Sequence, residues 1–278
     1  MKHILIPTDF SANAWNALNY AACLFNYDHC TFYILHVEEL SNKAQAKNST
    51  ALKTIEKQST TDYKLNHFFE QLAQLKKNVL HQFIALRDYG NFTDIIKKTV
   101  VEKKIDLIIM GAKGVSDPDH IIFGNNTINV ITKVPCNVLA VSDKAIIKKP
   151  SKIGFPTDYN IFYTYPILKS LTEVLQISNA TLDVVHINQT KTTFSNVQVA
   201  NKAYLHDYLK EMFTDFHCFK EIQGLNIKET IATYLVENSV EMLTLAAKNL
   251  NLFQQLFFNP TKEQLTFQSS VPLLVLHE

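Results

Sequence analysis

Short apolar runs rich in β-branched residues alternate along the chain with segments whose apolar residues recur every three or four positions. In the first 145 residues the runs predict strands near 3–7, 31–37, 80–85, 106–110 and 137–141. The periodic segments between them predict helices near 12–26, 50–76, 92–103 and 125–133. Leu107-Ile108-Ile109-Met110 shows no polar alternation, as expected of a strand covered on both faces. Strand–helix–strand alternation implies right-handed crossovers and a doubly wound parallel α/β sheet. Ligands of such sheets bind beyond the carboxyl ends of the strands, at the point where the strand order reverses.

The pattern occurs twice. Ile4-Leu5-Ile6-Pro7-Thr8-Asp9-Phe10 returns 149 residues later as Ile153-Gly154-Phe155-Pro156-Thr157-Asp158-Tyr159. Thr31–Val37, with His36, returns 150 residues later as Thr181–Ile187, with His186. The offset then falls to 135 for Val101–Ile108 against Val236–Leu243, and is 137 for Val134–Leu139 against Val271–Leu276. Four matches in the same order point to a tandem duplication. The second copy is shortened between its second strand and third helix. Residues 1–145 and 151–278 are the expected domains, joined by the lysine-and-proline linker Ile146–Ser151.

Composition narrows the class. Hydrophobic residues at 46% and charged residues at 19% let both copies bury a core without staples. With a formal net charge of +1 and no block of like charges, neither nucleic acid nor a membrane surface is an expected partner. No apolar stretch approaches the ~18 residues of a membrane-spanning helix. Lysine pairs such as Lys76-Lys77 and Lys103-Lys104 read as solvated faces. The four cysteines have no zinc spacing and read as small buried hydrophobes in a reducing, cytoplasmic setting.

Three of the six glycines carry the candidate chemistry: Gly111, Gly114 and, after nine residues, Gly124. They start where the 106–110 strand ends and finish where a helix begins. Glycine lets backbone amides approach phosphate oxygens and tolerates positive φ. A helix N-terminus adds unpaired N–H donors and a partial positive charge. Asn125 and Thr127 supply side-chain donors there, and Asp9 at the first strand end suits a ribose hydroxyl or a base amine. Neither a Walker loop nor G-x-G-x-x-G is present.

In the second copy, matching Phe123 with Phe258 pairs Gly111 with Ala246, Gly114 with Asn249 and Gly124 with Asn259. All three glycines are gone at constant spacer length, and Pro260 removes an amide from the helix start expected there. Asp158 alone reads as a turn residue.

The G-x2-G-x9-G pattern, with Pro7-Thr8-Asp9 at the first strand and Leu35-His36-Val37 at the second, resembles the universal stress proteins over the whole chain as a tandem pair. The resemblance implies two flavodoxin-like, adenine-nucleotide-hydrolase-like five-stranded sheets of strand order 3-2-1-4-5. It implies ATP, with Mg²⁺, in the first copy. Pro7, Thr8, Asp9, Val37, Met110, Gly111 and Gly114 would form the pocket, with Val37 against the base. Gly124, Asn125, Asn126 and Thr127 would hold the phosphates. Asn125 stands where the family prefers Ser or Thr, which implies altered phosphate contact.

The family pairs through its last strand, so 137–141 and 272–276 are the expected join of an intramolecular pseudo-dimer, with a homodimer and a protein partner as further expectations. His36 and His186 recur in both copies, which points to support of the fold. Asp117 and Asp119, within Ser116–His120, offer carboxylates for Mg²⁺ or sit in a solvated lid. Phe253, Phe257 and Phe258 read as core or dimer surface. No catalytic set stands out, and the expected role is a stress-response regulator. An interaction protein without nucleotide and a slow ATP hydrolase stay open as alternatives.

Overall fold

The computed structural model describes residues 1–38, 63, 64, 66–73, 78–112, 121, 122, 124–189, 193–213, 216–259, 264–267 and 271–278. In chain order the first half runs β1 (Lys2–Pro7), α1 (Ala12–Leu24), β2 (Cys30–Glu38), α2 (66–73), β3 (His81–Tyr89), α3 (Phe92–Lys103), β4 (Leu107–Ala112), β5 (Ile121–Ile122), α4 (Asn125–Lys133) and β6 (Asn137–Ser142). The second half runs β7 (Lys152–Pro156), α5 (Tyr165–Ser178), β8 (Thr181–Asn188), α6 (Asn196–Met212), β9 (His217–Gln223), α7 (Ile227–Glu237), β10 (Met242–Ala246), α8 (Leu250–Phe257), β11 (Phe258–Asn259), β12 (Gln264–Phe267) and β13 (Leu273–Leu276). The expected strands and helices of the first half are present to within a few residues; residues 50–62, 65 and 74–76 of the expected 50–76 helix lie outside the described residues.

Each half is an α/β unit of strand order 3-2-1-4-5: β3-β2-β1-β4-β6 and β9-β8-β7-β10-β13. Pairing among these five strands of each half is parallel. The order reverses between β1 and β4 and between β7 and β10, so each half has one switch point beyond its strand ends. The central strands are apolar throughout because helices cover both faces: Ile4, Leu5, Ile6, Ile108 and Ile109 are fully buried.

The halves form one ten-stranded sheet through an antiparallel pair, β6 with β13, in which Leu139 faces Leu274 and Val138 faces Val275. This is the join expected from 137–141 and 272–276. Asn137 fastens its end, accepting from the His277 amide at 2.8 Å and donating to Ser170 at 3.0 Å. An ion pair of Lys2 with Glu173 also crosses the join. The linker is pinned, with Lys148 and the Ser151 amide both on the Glu241 carboxylate.

The duplication extends to backbone detail. Phe10 (φ 64°) and Tyr159 (φ 57°) take the left-handed conformation after their aspartates, as do Lys104 (φ 52°) and Ser239 (φ 53°) after α3 and α7. The cysteines divide. Cys30 and Cys136 are buried, which pushes their thiols up to about 12, whereas Cys23 is half-buried and Cys218 exposed on the edge strand β9. The uniform reading of four buried cysteines is corrected there: β9 has no outer neighbour to cover it.

Leu274 is 1% exposed at the centre of the join. Leu274→Asp is expected to place an unpaired carboxylate there and to cost about 4 kcal/mol or more. The check is the midpoint of urea unfolding; a loss below about 1 kcal/mol would remove the join from the list of stabilising contacts.

Candidate nucleotide site

The end of β1 folds into a self-bonded turn. The Thr8 amide continues the ladder to the Leu35 carbonyl (2.8 Å), and the Thr8 hydroxyl accepts from the Phe10 amide (3.0 Å). Asp9 Oδ1 accepts from the Ser11 amide (2.9 Å), and Ser11 caps α1 by accepting from Ala14 (3.3 Å). These bonds hold Phe10 in its left-handed conformation and aim α1 away from the strand. His36 donates through Nδ1 to the Thr8 carbonyl at 2.8 Å, with the Phe10 ring 4.5 Å from the imidazole.

The second half builds the same turn. Tyr159 N reaches Thr157 Oγ1 (3.0 Å), Asn160 N reaches Asp158 Oδ1 (3.0 Å), and His186 donates to the Thr157 carbonyl (2.9 Å). The recurring histidines therefore brace this turn in both halves, the role their recurrence suggested.

In the first half a cavity of about 480 Å³ opens at the switch point. Its walls bring together Pro7, Thr8, Asp9, Val37, Met110, Gly111, Gly124, Asn125, Asn126 and Thr127. Gly114 and the Ser116–His120 segment lie outside the described residues. Ser11, Asn13, Ala14, His36 and Phe92 also line it. Ser11 was legible as the cap before a helical segment; Asn13 and Ala14 follow from it on the same first turn. Phe92 follows Asn91, which caps α3 by accepting from Asp94 at 3.3 Å.

The two described glycines of the motif do different work. A Cβ on Gly111 would lie 2.8 Å from the Asn13 carbonyl oxygen, so glycine is needed there for α1 to cross close over the end of β4. A Cβ on Gly124 would meet nothing within 4 Å. Neither needs positive φ; among the described glycines only Gly90 (φ 142°) has it. The expectation of glycine conformational freedom is corrected at both positions: close approach explains Gly111, and open space surrounds Gly124.

Gly124 is the N-cap of α4 in extended conformation (φ −63°, ψ 155°), and α4 has no side-chain cap bond. Its first-turn amides therefore lack helical partners and border the cavity. Asn125 and Asn126 are exposed at this rim. Thr127 is buried, and its hydroxyl lies 3.4 Å from the Gly111 carbonyl, so it ties α4 to β4 and is not a free donor as expected.

The second half closes the equivalent place by moving its helix. Ala246 stands at the Gly111 position, as expected, but α8 starts at Leu250, the residue directly after Asn249. The Asn249 side chain accepts from the Leu252 amide (3.2 Å) and donates to Asp158 Oδ1 (2.7 Å). The match of Asn259 with Gly124 is thus corrected. Residues 250–257 are helix, and 258–259 are a strand. The physical reason is local: 250–257 contains no proline or glycine and carries Leu252, Phe253 and Leu256 on one buried face. The cavity left there is about 180 Å³ and polar, with Asp158, Asn160 and Gln198 along its wall.

The universal stress protein family model matches residues 1–142. The chain belongs to this family. A universal stress protein from Archaeoglobus fulgidus is 14% identical, with a TM-score of 0.69, covering 99% of this chain and 98% of its own. A universal stress protein structure from Pseudomonas aeruginosa is 14% identical with a TM-score of 0.55, covering 99% and 93%. At these identities the likeness concerns the fold. A universal stress protein in complex with cAMP is 15% identical with a TM-score of 0.31, covering 47% of this chain and 98% of its own. No curated protein matches the sequence significantly.

Gly111→Ala is expected to push α1 from β4 and to cost about 1–3 kcal/mol by overpacking. Chemical unfolding of the variant checks it; wild-type stability would mean that α1 yields freely at this contact.

Proposed function

We propose that this universal stress protein binds ATP, or a related adenine nucleotide, in the cavity of its first half, and that its second half has given up that role. The supporting observation is the pair of helix starts. At α4 the first-turn amides open uncapped onto a cavity at the switch point, while at α8 the equivalent amide is held by Asn249. Uncapped amides with the positive end of the helix dipole favour an anionic group such as phosphate. Val37, Met110 and Pro7 give the cavity an apolar wall for a base, and Asp9 is placed at the end of β1 for a ribose hydroxyl or base amine.

Asp9 is the one acidic side chain among the described cavity residues, and no group of three or more His, Cys, Asp or Glu among the described residues could hold a metal. In this reading Mg²⁺ accompanies the phosphates of the nucleotide. Residues 1–145 act as the nucleotide unit and 151–278 as a structural or partner-binding unit. Among the described residues no helix is long and apolar enough to cross a membrane. The family supports a stress-response role.

Gly124→Asn transplants the cap of the second half into open space. The ligand-free variant is expected to gain a few tenths of a kcal/mol from the cap, while ATP-Mg²⁺ binds at least ~10-fold more weakly because the amides are occupied. Calorimetric titration of the wild type should show one site per chain. Two equivalent sites, or undiminished affinity in the variant, would sink the assignment.

A further inference from the structure

The two halves differ at one more position that faces the cavities. Asn91 and Asn226 cap α3 and α7 identically, each side chain accepting from the third amide of its helix at 3.3 Å. The next residue lines the cavity in both halves, but it is Phe92 in the first and Ile227 in the second. An aromatic ring thus occurs at this position only in the half whose helix start is open.

Phe92 is held firmly. Gly90, at φ 142°, turns the chain out of β3, and its amide donates to the Glu38 carbonyl at 3.0 Å, tying the turn to the end of β2. The ring is partly buried against the apolar cluster on which Val37, Ile95 and Ile128 also pack. It is neither sealed in the core nor loose on the surface. The first residue of a helix does not call for an aromatic side chain, since proline or a good helix former suits it better. A half-covered ring beside Val37 and Met110 is an apolar surface suited to a planar partner.

We propose that Phe92 selects the base end of the ligand, its ring stacking against a nucleobase while the α4 amides hold the phosphates. The proposal rests on the nucleotide reading of the first cavity and adds to it an aromatic requirement. Aromatic stacking tolerates any base, so Phe92 selects for a nucleobase, and the polar groups of the cavity choose among bases.

The test is calorimetric titration of the full chain with ATP-Mg²⁺, using Phe92→Ile, Phe92→Leu and Phe92→Trp. Phe92→Ile copies the second half, which folds around Ile227, and thermal melting of each variant verifies folding. Phe92→Ile and Phe92→Leu are expected to weaken ATP roughly 10-fold or more, the loss of one base–aromatic stack, with Phe92→Trp close to wild type. Affinity in the aliphatic variants within about twofold of wild type, or equal loss in Phe92→Trp, overturns the stacking role. A wild-type protein that binds no ATP overturns the nucleotide site itself, a result the variants do not mimic.

Discussion

The antiparallel pairing of β6 with β13 is the contact on which the rest of the molecule depends. Each half ends its sheet in a strand with almost no exposed surface: Val138, Leu139 and Val141 are 0% exposed, and Leu273–Leu276 are at 2% or below. Separated, each would present an apolar edge with unpaired amides and carbonyls, the arrangement that drives aggregation. Joined, they continue one sheet through ten strands. The antiparallel sense also has a geometric consequence. In the ten-stranded sheet the strands of each half are parallel, so the carboxyl ends of the two halves point in opposite directions. The two switch points therefore lie at opposite ends of the strands, although β5, beside the first one, pairs with β12 of the second half.

That separation frames the divergence of the halves. The turn at the first strand end repeats three bonds in both halves: those of Thr8 and Thr157, of Asp9 and Asp158, and of His36 and His186. This turn starts the first helix and belongs to the scaffold. What differs is how the chain leaves the fourth strand. In the first half α1 crosses over Gly111, and α4 begins later at an uncapped glycine. In the second half the chain turns at once, with the Asn249 amide on the Ala246 carbonyl at 3.0 Å, and enters α8. Asn249 then spends both ends of its amide, one on the helix and one on Asp158.

Much of this was legible in the sequence because it is local or periodic. Buried strands announce themselves as unbroken apolar runs, and the shared turn is written in Pro-Thr-Asp at both places. The recurrence of histidine pointed to scaffolding, and the bonds to Thr8 and Thr157 account for it. The residues that line the first cavity were legible because strand ends and a glycine-marked helix start are local signals. Two things were not legible. The need for glycine at 111 comes from Asn13, about a hundred residues away in sequence, and nothing near Gly111 reveals it. The start of α8 was misplaced because a constant spacer length was taken as constant structure. The helical pattern of Leu252, Phe253 and Leu256 was the stronger signal, since a buried apolar face decides where a helix lies more than residue counts do.

The same comparison changes what loss of a site means here. Replacement of glycines suggests added side chains crowding a ligand, though a Cβ at the Gly124 position would meet no protein atom within 4 Å. The second half differs in a further way. The helix start has moved forward to the strand end, its free amide is taken by its own cap, and Asp158 is bonded to that cap. A polar group buried without a partner is costly, so a helix start that faces no anion is more stable when its donors are satisfied internally. Asn249 does this at 4% exposure, with one side chain serving a helix amide and a carboxylate together. The uncapped start of α4 stands in contrast to it on the same fold: its amides have no such internal partner, and that difference, more than any count of glycines, separates the two halves.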